Sequence, residues 1–195
     1  MKQRRKVTGA VLLGLALVAT QSLGDDFPNN GKATDGRYVT ACWNMTEIFP
    51  RPLNLHWQYL TDTVASQTNL TFDLDIQPCL STTDMVFMYH TGTPYPAVGA
   101  VWCLNEGGQF AQTASTTDIE CDSWAVTVNL DRLINDVCSH YLIDDDLMEQ
   151  NVWCHESGHA LGLYHIFEGP GGCMAHACSS QRIYVPEHLD HLDTY

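Results

Sequence analysis

Three histidines, a glutamate and a glycine stand at fixed intervals in the run His155-Glu156-Ser157-Gly158-His159-Ala160-Leu161-Gly162-Leu163-Tyr164-His165. On a helix, His155 and His159 lie one turn apart on the same face, so their imidazoles can share one metal ion. Glu156 is rotated off that face but stays near enough to exchange a proton with a water beside the ion. Gly162 lets the chain leave the helix through a backbone conformation that a side chain opposes. His165 can then fold back as a third ligand. Three neutral nitrogens and one open position describe a catalytic zinc site rather than a closed structural one. The competing reading, unrelated histidines on an ordinary helix, requires five specified positions to coincide by chance.

This pattern, HExxHxxGxxH, resembles the signature of the metzincins, a clan of zinc endopeptidases in which a methionine turn follows the third histidine. Here Met174 follows His165 by nine residues, in Gly172-Cys173-Met174-Ala175-His176. The resemblance implies a zincin-like α+β fold: a twisted mixed sheet with two long helices, then a short C-terminal subdomain over 163–195. It also implies that Met174 lies beneath the zinc without binding it. His176 stands where some metzincins carry a metal-associated tyrosine, which makes it a candidate oxyanion aid against a plain structural role. The motif covers residues 155–176; upstream the likeness is one of architecture. The short domain and the tail 184–195 look most like small bacterial matrixin-like enzymes. Ile166, directly after the third histidine, matches no subfamily. Snapalysin-like enzymes use Asp where this chain has His165. No cysteine-switch propeptide is visible.

The elements around the motif follow from periodicity. Asp144 can cap a helix whose first turn holds Asp145 and Asp146 against the positive end of the dipole. That helix should run to about Gly162, with Met148, Val152, His155 and His159 in one stripe. An earlier amphipathic helix is expected over 53–68, where Leu53, Trp57, Leu60 and Val64 recur at three and four. Strands are expected at 39–44, 70–76, 85–89, 98–104 (followed by a turn at Gly107-Gly108) and 124–130. A short last helix is expected over 186–195. The order places one mixed sheet beside the helices, an α+β or α/β domain.

The chain has 195 residues, enough for one domain. Residues 1–24 read as an export signal: a basic head (Lys2, Arg4, Arg5, Lys6), a short apolar run over 7–19, then Ser22 and Gly24. That run is shorter than the roughly 20 residues that span a bilayer. The catalytic domain is then 25–195, with 25–37 a loose polar start. All 23 acidic residues lie in that part, against Lys32, Arg37, Arg51, Arg132 and Arg182. Such an imbalance argues against nucleic acid and against anionic membranes as partners. Calcium at 118–122 or 144–146 is a weaker reading of the acidic residues, since neither has the spacing of a calcium loop. The eight cysteines, Cys42, Cys79, Cys103, Cys121, Cys138, Cys154, Cys173 and Cys178, read as disulfides in an exported domain. Pairing neighbours in element order joins Cys42 to Cys79, Cys103 to Cys121, Cys138 to Cys154, and Cys173 to Cys178. Helix geometry turns the Cys154 sulfur away from the metal. His56, His90, His140, His188 and His191 lack ligand spacing and read as ordinary. Asn44-Met45-Thr46 and Asn69-Leu70-Thr71 are glycosylation sequons.

The expected activity is a secreted, monomeric zinc endopeptidase. Glu156 would be its general base, and a protein or peptide substrate would lie extended along an edge strand at 98–104. Two alternatives share these residues: a zinc hydrolase of another amide or an ester, and a non-catalytic module on a zincin fold.

Overall fold

The computed structural model describes residues 36–44, 51–74, 76–80, 82–89, 98–104, 110–113, 123–129, 133, 144–163, 165, 172–175 and 180–194. Calls that rest on Cys121, Cys138, His176 and Cys178, on the leader and on 118–122 lie outside these residues.

Six strands form one mixed sheet: β1 (Tyr38–Trp43), β2 (Thr71–Asp73), β3 (Met85–Tyr89), β4 (Gly99–Leu104), β5 (Phe110–Thr113) and β6 (Trp124–Val128), in the order β2-β1-β3-β6-β4-β5. The pairs β2-β1, β1-β3 and β3-β6 are parallel, whereas β4 runs antiparallel to both β6 and β5. The helix α1 (Arg51–Gln58) continues through π-helical turns (Tyr59–Val64) into a last α-helical turn, α2 (Ala65–Gln67). The motif helix is α3 (Asp145–Ala160), and α4 (Pro186–Leu192) lies near the C-terminus.

The architecture is thus mixed α+β, as periodicity implied, with four corrections. The strand expected over 70–76 shrinks to Thr71–Asp73. The helix expected over 53–68 is not uniformly α-helical; its apolar residues remain buried, since Leu53, Leu60 and Val64 are fully covered and Trp57 nearly so. The helices are not simply two long ones: the short last helix expected over 186–195 forms as α4, a third packed segment with Leu192 buried. The stretch 98–104 is not the outermost strand: β5, beyond the expected Gly107-Gly108 turn, forms a hairpin with it and pairs with Trp102, Cys103 and Leu104.

The core seats α3 against the sheet. Trp153, fully buried, meets Trp43 of β1 and Phe87 and Tyr89 of β3 with ring centroids 5.5–6.0 Å apart. Trp57 of α1 packs on Phe87 from the same side. Glu149, buried on α3, accepts hydrogen bonds from Tyr89 Oη and from Trp153 Nε1, so an acid faces the core only with partners. Asn151 Nδ2 donates to the carbonyl of Gln181 at 2.6 Å, which ties the C-terminal segment to the same helix.

Candidate metal centre

Both ends of α3 are defined by their residues. Asp144 has extended backbone, and its carboxylate accepts from the amides of Asp146 and Leu147 at 3.0 and 3.4 Å. This carboxylate therefore serves as a helix cap, and Asp146 faces Arg51 at 3.7 Å on the exposed surface. At the other end Gly162 has φ +88°. Its amide donates to His159 O at 3.0 Å, and the amide of Leu163 donates to Gly158 O at 2.7 Å. These are the two bonds of a Schellman turn, which needs a residue in the left-handed region.

That turn does chemical work. It brings the Leu163 carbonyl to 2.8 Å from His159 Nδ1, and it releases the chain so that His165 returns to the helix face. His155 Nδ1 lies 2.8 Å from the carbonyl of Cys173. A carbonyl can only accept, so each Nδ1 must carry its proton and donate it. In the neutral imidazoles both Nε2 atoms then hold lone pairs, and these face each other and His165: the three Nε2 atoms are 2.9, 2.9 and 3.1 Å apart. Lone pairs converging this closely repel unless a cation lies among them. Neutral imidazoles with their second nitrogens fixed by carbonyls are the usual donor set and outer support of a zinc ion. The residues fit such an ion. Among the described residues, these three histidines are the one group of three or more potential ligands that could hold a metal.

Glu156 is buried and points to β4: a Cβ built on Gly99 would stand 2.5 Å from its Oε1. Burial pushes its carboxyl up to about 8, because desolvation disfavours the charged form. Met174, also fully buried, sits in a short 3-10 turn (Gly172–Met174) with its sulfur against Gly158. A Cβ on Gly158 would stand far closer to that sulfur than van der Waals contact allows.

The cysteines near the site pair differently from the neighbour-order expectation. Cys154 bonds Cys173, with Cα atoms 5.9 Å apart, so neither the Cys138 to Cys154 pairing nor the Cys173 to Cys178 pairing holds. The physical reason is that the 3-10 turn is folded back under α3, which places residues 19 apart in sequence side by side. Cys42 bonds Cys79 as expected. Cys103 is also disulfide-bonded, to a partner outside the described residues.

Three supporting residues escaped the sequence reading. His56, read as ordinary, is buried with Nε2 3.0 Å from Ser157 Oγ, and burial lowers its pKa to about 3. Gly99 leaves room for Glu156. Tyr184 donates its hydroxyl to the carbonyl of Cys154 at 3.0 Å. His56 and Tyr184 come from elements 101 and 30 residues from their partners, and no local pattern marks them.

No protein-family model matches the chain, and no curated protein matches it. The functional reading therefore rests on the residues themselves.

Proposed function

We propose that the chain is a secreted zinc-dependent endopeptidase of the metzincin type, on a zincin-like fold. The observation that carries this reading is the convergence of three imidazole Nε2 atoms, from His155 and His159 on α3 and His165 after it, next to the buried Glu156. The antiparallel strand β4 beside that glutamate and the methionine beneath the ligands support it further. Export is supported by the disulfides Cys42–Cys79 and Cys154–Cys173 and by the signal-like leader. No helix among the described residues is long and apolar enough to cross a membrane.

His155, His159 and His165 would hold the zinc, which supplies Lewis acidity that lowers the pKa of a water and polarises a scissile carbonyl. Glu156 takes the proton of the attacking water and delivers it to the leaving amine. Its close packing against Gly99 fixes where the carboxyl points. The chain also offers a rail for an extended peptide. The amide of Asn129 donates to Val98 O, so Val98 and Asn129 form a hydrogen-bonded pair across β4 and β6. In an antiparallel ladder the intervening residues, Gly99 and Val101, then present their N–H and C=O groups to the other side of β4. Among the described residues, β5 covers only Trp102, Cys103 and Leu104 on that side. A substrate strand adding along 99–101 would place its peptide bonds beside Glu156.

Zinc content and casein hydrolysis of wild type and Glu156→Ala test the reading. Wild type should hold one zinc and cleave casein. Glu156→Ala should keep the zinc and lose activity by about 10²–10⁴-fold. Wild type without stoichiometric zinc, or a variant within about tenfold of it, overturns the assignment.

A further inference from the structure

Cys173 touches the metal centre twice. Its sulfur is bonded to Cys154, the residue directly before His155. Its carbonyl accepts the Nδ1 proton of His155 at 2.8 Å. The same residue donates its own amide to Ile183 O at 2.9 Å, and the next residue, Met174, seats its sulfur against Gly158. Both half-cystines are fully buried. The bond closes a covalent ring that begins one residue before the first ligand and ends eight residues after the third. All three histidines, Glu156 and the Gly162 turn lie inside it.

Taken together, these contacts make the carbonyl orienting His155 an extension of the disulfide. On the 3-10 turn alone, that carbonyl would be held by the Cys173 N–H bond to Ile183 O, the turn's own bond from Ala175 N–H to Gly172 O and the packing of Met174. Covalently joined to the helix, it cannot swing away from the ring it orients. The other ligand of α3 is served differently: His159 takes its carbonyl from Leu163, through the Schellman turn of the helix itself. One ligand is thus oriented by helix termination and the other by a covalent cross-link.

We propose that the Cys154–Cys173 disulfide is a positioning element of the metal centre, which holds the Cys173 carbonyl against His155 and so sets the site's affinity for zinc. Cys42–Cys79 joins β1 to the segment before β3 and, among the described residues, has no such link to a ligand. The inference rests on the zinc-site reading above.

The test compares full-length Cys154→Ala/Cys173→Ala with Cys42→Ala/Cys79→Ala and wild type. The readouts are zinc affinity by chelator competition, the visible spectrum of the cobalt-substituted protein, and thermal melting. The first variant should bind zinc about 10–100-fold more weakly, as loss of a partner behind a ligand typically does, with altered cobalt bands. The second should melt lower yet bind zinc within threefold of wild type, with unchanged bands. Equal zinc affinity in all three proteins overturns the inference while leaving the zinc site standing. A wild type that binds no zinc overturns both. Where the first variant does not fold, zinc-loaded wild type is titrated with glutathione. Two glutathione thiols reduce each disulfide to two cysteine thiols and leave one glutathione disulfide. Zinc release should track reduction of Cys154–Cys173, followed by mass spectrometry; zinc retained after that bond is reduced overturns the proposal.

Discussion

Of the three residues between His155 and His159, two are left open by the motif but are constrained in this chain. Ser157 is fully buried and meets His56 from α1, while Gly158 leaves the space that the Met174 sulfur fills. The methionine is therefore complementary to a missing side chain. Gly158→Ala should overpack this contact and cost about 1–3 kcal/mol. Met174→Ala should cost about 2–5 kcal/mol by leaving a cavity. Because the added methyl enters the space that the removed side chain vacates, the double variant should lose clearly less than the sum of the two. Denaturant unfolding of all four proteins measures the coupling. Additive losses would mean that sulfur and glycine do not press on each other.

At the scale of the element, α3 was the most legible part of the sequence, because everything that defines it is local. The cap at Asp144, the four-three-four stripe and the stop at Gly162 all act within a turn of themselves. Asp144→Ala should cost about 1 kcal/mol and leave zinc affinity unchanged, since the cap lies far along the helix from the ligands. Gly162→Ala should strain the left-handed turn and also weaken zinc binding, because the Leu163 carbonyl that orients His159 depends on it. Melting and chelator competition on both variants separate the effects; equal zinc affinities would detach the turn from the site. The strand β5 and the Cys154–Cys173 bond were not legible for the converse reason. The strand is short, and its place is set by pairing with β4. Eight cysteines allow 105 pairings, and only the folding of the 3-10 turn under α3 selects this one. The order of strands likewise emerges from pairing, which is why 98–104 could be read as a strand but not as one lying inside β5.

Across the whole molecule, two buried groups set opposing responses to pH in the metal-free protein. His56 stays neutral when folded, with its pKa lowered from 6.5 to about 3 by desolvation. Between those values the unfolded chain binds the extra proton, so stability falls as the pH drops from 6.5 towards 3. Glu156 is the reverse: its pKa is raised from 4.5 to about 8, the folded protein holds the extra proton, and stability falls as the pH rises from 4.5 through 8. Burial raises Glu149 as well, which adds to the loss above 4.5. From 4.5 to 6.5 the His56 and Glu156 slopes cancel, and outside that window one of them acts alone. Each can contribute up to about 1.4 kcal/mol per pH unit. Chelator-treated protein should therefore show a broad stability maximum near pH 4.5–6.5 in denaturant unfolding, tilted slightly towards acid by Glu149. Glu156→Gln removes the titrating carboxyl at nearly constant shape and should flatten the decline between 6.5 and 8. His56→Gln keeps a hydrogen-bonding group opposite Ser157 and should flatten the decline below 4.5. If the Glu156→Gln curve runs parallel to wild type between pH 4.5 and 8, the carboxyl titrates as in water, and the desolvated pocket beside Gly99 does not raise its proton affinity in solution.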